Sequence, residues 1–104
     1  MPLKGRFYRA HLNGMVFVVL SGNMYNAVAT FPYVLVMQVV NDISDDFTYP
    51  YFVPVEREDG KRWIKVGPLP LWAKDDLEEL DWEPLSNEEI SQVHTALFRV
   101  LTNN

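Results

Sequence analysis

The stretch that decides the fold is Gly14–Asn26, which reads GMVFVVLSGNMYN. Its apolar run from Met15 to Leu20 is rich in β-branched residues and too short for a helix, so it predicts a central strand buried on both faces. The run stops at three turn-forming residues, 21–23. A rigid strand that ends in a polar loop with a serine, two asparagines and a tyrosine is a common base for a surface site.

The composition predicts a single domain over residues 1–104. Hydrophobic residues make up 48% of the chain and include three Trp, five Tyr and six Phe, enough to bury a core. There is no cysteine, which excludes a disulfide framework, a thiolate metal site and a cysteine nucleophile, and is typical of a reducing cytoplasm. No apolar run approaches the roughly twenty residues that a membrane-spanning helix needs. We therefore expect a cytoplasmic protein without membrane association.

Charge is distributed unevenly along the chain. The net charge of −5 argues against a nucleic-acid partner, because Lys and Arg dominate phosphate binding. Residues 1–41, however, contain no Asp or Glu and carry +3 from Lys4, Arg6 and Arg9, whereas the remainder carries −8. This separation predicts a basic surface from the first half and an acidic surface from the second. The alternative is that buried strands simply exclude carboxylates.

Short strands and turns follow one another along the chain. Residues 6–12 alternate as a half-exposed strand, and Asn13-Gly14 is typical of a two-residue type I′ hairpin turn. Residues 33–40 form another dense apolar strand, and Asp59-Gly60 marks a second hairpin between residues 51–55 and 61–66. Prolines exclude residues 67–72 from the centre of a sheet, so a kinked edge or crossover is expected there. Residues 77–82 are expected to form a short strand or a helical turn.

A C-terminal helix is the clearest local prediction. Ser86 and Glu89 match a capping box, in which each side chain accepts a hydrogen bond from the other residue's amide. The helix should run to about residue 101, with an apolar stripe of Ile90, Val93, Leu97, Val100 and Leu101. His94 lies beside that stripe and is expected on the helix surface or at an interface rather than in catalysis.

Together these elements predict an α+β, mainly β domain: a small, strongly bent antiparallel barrel with one terminal helix. The acidic segment 41–48 contains Asp42, Asp45 and Asp46, whose spacing raises the alternative of a hard-cation site. A solvated loop is the favoured interpretation, because the glycine and the terminal glutamate of a calcium loop are missing.

The layout resembles that of the MazF/PemK toxins, small dimeric ribonucleases of bacterial toxin–antitoxin pairs that share their barrel with the CcdB gyrase poisons. The matching motifs are Lys-Gly-Arg-Phe-Tyr at residues 4–8, Val-Val-Leu-Ser at 18–21, Asn-Met-Tyr-Asn at 23–26 and the Leu-Ser-x-Glu-Glu helix opening at 85–89. The resemblance implies an SH3-like barrel, a homodimer, and an antitoxin segment that wraps the dimer. It also implies growth inhibition by sequence-specific RNA cleavage, with the RNA groove beside the first hairpin and the end of the second strand.

The sequence departs from the family pattern at three places. MazF-type nucleases usually carry Arg-Pro just before the Val-Val-Leu-Ser strand, and the matching positions here are Met15 and Val16. A threonine or serine normally ends the third strand, where Val39 and Val40 stand. The long first loop that helps clamp RNA has shrunk to Asn13-Gly14.

The candidate catalytic residues are His11, Arg9 and Ser21. Cleaving RNA without metal requires a deprotonated 2′-oxygen, a protonated leaving oxygen and stabilisation of the phosphorane charge, which suit His and Arg. His11 is the leading acid–base candidate, because imidazole exchanges protons near neutral pH; an incidental surface histidine is the alternative. Ser21 would donate to a phosphate oxygen. No metal or cofactor is expected, and the predicted RNA contacts are Lys4, Arg6, Asn23, Tyr25 and Asn26.

Three functions stay open at this point. The favoured one is a toxin-family endoribonuclease whose partners are RNA, an antitoxin protein and a second copy of the chain. The second is a degenerate barrel that binds a protein without catalysis, since a fold alone does not specify a function. The third is a CcdB-like gyrase poison, although the chain ends Leu-Thr-Asn-Asn without the aromatic-glycine tail of that group.

Overall fold

The computed structural model describes residues 1–41, 48–67 and 70–102. The predicted acidic loop with Asp42, Asp45 and Asp46 lies mostly outside these residues. The elements in chain order are β1 (Phe7–Ala10), β2 (Val16–Val19), α1 (Asn23–Asn26), β3 (Tyr33–Val40), β4 (Phe52–Arg57), β5 (Gly60–Lys65), β6 (Leu71–Ala73), a 3₁₀ turn (Lys74–Asp76), β7 (Leu77–Glu79) and α2 (Asn87–Thr102).

The strands form a bent antiparallel sheet in the order β4-β5-β3-β2-β1-β7. The long strand β3 bends between two partners: its first half pairs with β6 and its last two residues pair with β5. In the described part of the chain the end strands β4 and β7 are not paired with each other, so the sheet does not close. The predicted α+β, mainly β fold with one C-terminal helix is confirmed, with a barrel-like sheet that is left open between its end strands.

Strand β2 lies at the centre of the domain and is buried on both faces, as its apolar run predicts. Val18 and Leu20 point to the core that packs against α2, whereas Phe17 and Val19 point to the opposite core. These four side chains are at most 8% exposed. We call the first side of the sheet the helix face and the second the Trp72 face, after the β6 residue that packs on it.

Helix α2 covers the helix face through Val93 and Ala96, both fully buried. The predicted stripe is largely confirmed, because Ile90, Leu97 and Val100 also pack against this core. Leu101 was expected there and is instead 71% exposed. At about 100° of rotation per residue, Leu101 lies roughly 80° around the helix from Val93, beyond the edge of the contact.

The capping box at the start of α2 is present. The Ser86 amide donates to Glu89 Oε1 at 2.9 Å, and the Glu89 amide donates to Ser86 Oγ at 3.1 Å. The Glu89 carboxylate also accepts two hydrogen bonds from the Arg57 guanidinium, at 2.7 and 2.9 Å. Arg57 donates further to the Pro84 carbonyl, so one residue of β4 ties the helix start to the sheet.

The turn between β1 and β2 differs from the predicted two-residue type I′ turn. Strand β1 ends at Ala10, and the Gly14 amide donates to the Ala10 carbonyl at 2.9 Å, which makes a four-residue turn over 11–14. Gly14 has a φ of +73°, and no non-glycine residue in the described part has a positive φ. Asn13 instead accepts a hydrogen bond from the Met15 amide through Oδ1, at 2.9 Å. The type I′ prediction is wrong, because Asn13 uses its side chain rather than a left-handed backbone.

Strand β1 is more deeply buried than its alternating pattern predicts. The alternation of residues 6–12 puts Phe7 on the same face as Arg9 and His11. Phe7 is nevertheless only 2% exposed, because it packs in the helix-face core and contacts the Trp82 ring at a centroid distance of 5.5 Å. For residues 77–82 the sequence left two alternatives, a short strand or a helical turn. Residues 77–79 pair with β1 and form β7, so the strand is the correct alternative there. Residues 23–26, expected to be a loop, form the short helix α1.

Candidate nucleic-acid interface

Two of the three predicted catalytic residues meet at the β1–β2 turn. Arg9 is exposed at the end of β1, and its Nη1 donates to the Gly14 carbonyl at 3.1 Å. His11 is the first residue of the turn, with an exposed side chain. Over residues 1–41, 48–67 and 70–102 the His11 imidazole makes no hydrogen bond or ion pair. The turn therefore presents a guanidinium and an imidazole together to solvent.

Asp76 holds this turn in place. Its carbonyl accepts the His11 amide at 2.9 Å, and its carboxylate accepts the Leu12 amide at 3.1 and 3.3 Å. The same carboxylate accepts the Trp72 indole N–H at 2.8 Å. Sequence reasoning missed Asp76, because the pairing of β7 with β1 that brings it to the turn joins segments more than sixty residues apart.

Ser21 is not part of this group. Antiparallel pairing places it at the opposite end of the β1–β2 hairpin, roughly 20 Å from the turn at ~3.3 Å per residue. It is 7% exposed, and its hydroxyl donates to Asn26 Oδ1 at 2.5 Å and accepts from the Leu35 amide at 3.2 Å. The Asn26 amide group donates back to the Ser21 carbonyl at 2.9 Å. In this structure Ser21 and Asn26 connect α1 to β3 inside the protein.

The other predicted RNA contacts lie at the Ser21 end of the hairpin. Asn23 accepts the Lys4 backbone amide through Oδ1 at 2.7 Å, which ties α1 to the N-terminal segment. Tyr25 is 40% exposed and contacts the Phe31 ring at a centroid distance of 4.9 Å. Lys4, Asn23 and Tyr25 thus form a second surface, separated along the hairpin from Arg9 and His11.

The basic surface expected from the first half of the chain is not purely basic. Strand β7 brings acidic residues alongside β1: Glu79 pairs with Arg6 at 3.2 Å, and Glu78 lies opposite Arg9 in the strand register. The Tyr8 hydroxyl also donates to Glu79, at 3.3 Å. Burial of the Tyr8 phenol is the main reason that its pKa is raised, and Glu79 adds to that effect. The charge separation seen along the sequence is therefore reduced by the fold.

Basic and aromatic side chains do gather on the Trp72 face of the sheet. Lys61, Trp63 and Lys65 alternate along β5, and the Lys61 ammonium lies 4.5 Å from the centre of the Trp63 ring. Gln38 of β3 lies opposite Phe17 of β2, and the β3–β5 register places it beside Lys65. In the sequence, the alternation of Lys61, Trp63 and Lys65 is a signal that could indicate this surface.

His94, the other histidine, lies on the exposed side of α2. Partial burial lowers the pKa of His94, and the nearby Lys4 ammonium lowers it further. Because Lys4 belongs to the Ser21 end of the hairpin, His94 is a matched comparison for His11 rather than part of the same group.

The described residues contain no group of three His, Cys, Asp or Glu side chains placed to hold a metal ion. Among the described helices, none is long and apolar enough to cross a membrane.

Comparison with solved structures identifies the same fold in two bacterial proteins. An endoribonuclease from a mycobacterial species, solved in complex with its cognate antitoxin, has a TM-score of 0.80 and 19% sequence identity, with 100% of this chain and 98% of that chain covered. A second mycobacterial endoribonuclease has a TM-score of 0.78 and 20% identity, with 96% and 90% covered. Neither a protein-family model nor a curated protein matches the sequence. The fold that the resemblance to MazF/PemK toxins implies is thereby confirmed over the whole chain.

Proposed function

We propose that this chain is the toxin of a toxin–antitoxin module and acts in the cytoplasm as a sequence-specific, metal-independent endoribonuclease that inhibits growth. The observation that carries the proposal is the likeness of fold, over essentially the full length of both chains, to an endoribonuclease solved with its cognate antitoxin. RNA, an antitoxin protein and a second copy of the chain are the proposed partners. The binding-only barrel and the gyrase poison have no comparable support, since both compared structures are endoribonucleases.

The β1–β2 turn is the proposed reaction centre. The 2′-oxygen attacks phosphorus as its proton passes to His11, and the bond from phosphorus to the 5′-oxygen breaks as that oxygen takes a proton from solvent, which leaves a 2′,3′-cyclic phosphate. His11 suits the proton transfer, because its exposed imidazole makes no competing hydrogen bond within the described residues. The Arg9 guanidinium, fixed to the Gly14 carbonyl, suits the charge that develops on the phosphorane.

Ser21 and Asn26 are left out of this centre, because their polar groups are bonded to each other in the interior. Lys4, Asn23 and Tyr25 remain proposed RNA contacts at the far end of the hairpin. Arg6 is a weaker candidate than Arg9, because a phosphate would compete with its ion pair to Glu79.

The test is incubation of the protein with a long unstructured RNA in excess EDTA, followed by mapping of new 5′ ends. The variants are His11→Ala and Arg9→Ala, and their matched controls are His94→Ala and Arg99→Ala on α2. We expect sequence-specific cuts from the wild type and both controls. Loss of general acid–base catalysis lowers rates about 10²–10⁴-fold, so a fall of at least 10²-fold is expected for His11→Ala.

Each outcome has a distinct meaning. If His11→Ala cuts RNA as the wild type does and His94→Ala no longer cuts it, the reaction centre lies elsewhere. A folded wild-type protein that cuts no RNA at any concentration would refute the nuclease proposal. Sedimentation equilibrium tests the homodimer separately: twice the chain mass is expected, and a monomer at all concentrations would contradict it.

A further inference from the structure

A small pocket opens on the Trp72 face of the sheet, beside the β1–β2 turn. It has a volume of about 210 Å³, several times the ~30 Å³ that one water molecule occupies in the liquid. The pocket can therefore hold a ring rather than a single solvent molecule. Its walls come from four strands, β2, β3, β5 and β6, and from the residues just before β2 and β6. They consist of Met15, Phe17, Gln38, Lys65, Pro70 and Trp72.

The polar groups of this pocket are not used by the protein itself. Across the described ranges, neither the Gln38 side-chain amide nor the Lys65 ammonium makes a hydrogen bond or an ion pair. Gln38 is half-buried between apolar neighbours, where a protein amide normally finds a hydrogen-bond partner. An amide that can both donate and accept is thus available to a ligand in a pocket whose other walls, apart from Lys65, are apolar.

The Trp72 ring is held in a fixed orientation. Its Nε1 donates to Asp76 Oδ2 at 2.8 Å, and its ring packs on Phe17 with the centroids 4.7 Å apart. A ring that is already fixed loses little further freedom when a ligand stacks on it, which favours binding. Trp72 therefore supplies a preformed flat surface.

The pocket is connected to the proposed reaction centre through Asp76. The carboxylate that orients Trp72 also accepts the Leu12 amide, and the Asp76 carbonyl accepts the amide of His11. A second cleft of about 310 Å³ shares Trp72 with the pocket and is lined by Leu12 of the turn. Arg9 pairs with Val16 on the helix face, so an RNA strand held there reaches the pocket by passing over the end of the β1–β2 hairpin, where Leu12 lines this cleft.

We propose that this pocket receives one unpaired base of the RNA and that it sets the base preference at one position near the cut; this inference rests on the proposed function. The base stacks on Trp72, the Gln38 amide bonds to the base edge, and the Lys65 ammonium at the rim pairs with the adjoining phosphate. Apolar walls, a flat aromatic ring, one amide and one cation match a nucleobase with its phosphate better than an aliphatic side chain.

The test compares base preference in the wild type, Gln38→Leu and Lys65→Gln, with Gln92→Leu and Arg99→Gln on α2 as matched controls. Each protein is incubated with an RNA library randomised around the cut, and cut ends are sequenced. The preferred site is then made uncleavable by 2′-O-methylation, and its binding is measured by fluorescence anisotropy at several salt concentrations. Thermal unfolding checks that every variant is folded.

We expect Gln38→Leu to cut RNA with base preference reduced about tenfold at one position only. An abasic nucleotide at that position should weaken wild-type binding about tenfold. Lys65→Gln should weaken binding to all sites alike and reduce the slope of log Kd against log salt by about 0.7, the value of one phosphate contact on a single strand. Both controls should behave as the wild type does.

Cleavage with an unchanged preference at every position in Gln38→Leu would overturn this inference and leave the nuclease proposal intact. A wild-type protein that neither cuts nor binds the library would overturn the nuclease proposal, and this inference with it. If the variants lose binding to a protein partner but keep the full RNA preference, the pocket takes a protein side chain and not a base.

Discussion

Glu89 is expected to contribute more to stability than Glu88, the other carboxylate of α2, and Glu89→Ala tests this. The side chain is only 20% exposed, and it joins two structures: the capping box with Ser86 and the paired hydrogen bonds from Arg57. Loss of a helix cap costs about 1 kcal/mol, and loss of hydrogen bonds between charged groups costs about 1.5–3 kcal/mol. We therefore expect the free energy of unfolding to fall by about 2–4 kcal/mol.

The assay is urea or thermal unfolding followed by circular dichroism. At about 4 °C per kcal/mol for a domain of this size, the midpoint should fall by ~8–16 °C. The control is Glu88→Ala, the neighbouring exposed residue, for which a change within about 0.5 kcal/mol is expected. Glu89→Gln should fall between the two, because an amide oxygen can still accept the Ser86 amide proton but carries no charge for Arg57.

The dependence on pH supplies an independent check. The Arg57 hydrogen bonds are the main reason that the pKa of Glu89 is lowered in the folded protein. A lowered pKa means that the stabilisation is complete above the unfolded value of ~4.3 and is lost as pH falls through the folded value. The difference between wild type and Glu89→Ala should therefore shrink in acid. A loss below 1 kcal/mol at pH 7, or a difference that does not change with pH, would refute this account of the network.

Three further substitutions have matched controls in the chain. Asp76→Ala removes the acceptor of the Trp72 and Leu12 N–H groups. RNA cleavage should fall about tenfold, because the turn is misplaced, and the near-ultraviolet circular dichroism should change. The control Asp75→Ala should leave both measurements unchanged. Ser21→Ala leaves Asn26 Oδ1 and the Leu35 amide without their hydrogen-bond partner. The free energy of unfolding measured in urea should therefore fall by about 1–3 kcal/mol. A fall no larger than that of the exposed control Ser91→Ala would contradict this expectation. Gly5→Ala should lower the free energy of unfolding by about 1–2 kcal/mol, because the φ of Gly5 is +82° and the new Cβ would lie 3.1 Å from Ile90 Cδ1. Equal stability of Gly5→Ala and Gly22→Ala would contradict this prediction of backbone strain.

The resemblance to toxin endoribonucleases extended correctly to the whole fold, although each motif that carried it is short. The reason is that the motifs mark the elements around which the sheet is built: β2 at the centre, the N-terminal strand beside it and the capped helix on one face. Two of the positions where family residues are absent, Met15 and Val16, lie at the start of β2 beside the proposed reaction centre. There Arg9 reaches the Gly14 carbonyl from the neighbouring strand.

The sequence by itself determined the local elements of this protein. The apolar run 15–20 specified a strand buried on both faces, because each side of the strand had to pack against a core. Ser86 and Glu89 specified where α2 begins, because both capping hydrogen bonds are formed within four residues. It also placed Arg9 and His11 near each other, since a strand end and the following turn are adjacent in the chain.

Only the tertiary structure decided which groups act together. It separated Ser21 from His11, because antiparallel pairing sends the end of β2 away from the turn, and it buried Ser21 against Asn26. It brought Asp76 to the turn and Glu79 to Arg6 through the pairing of β7 with β1, which depends on contacts between distant segments and leaves no local pattern. It also assembled the Trp72 pocket from several strands, and no single stretch of sequence contains enough of its walls to reveal it.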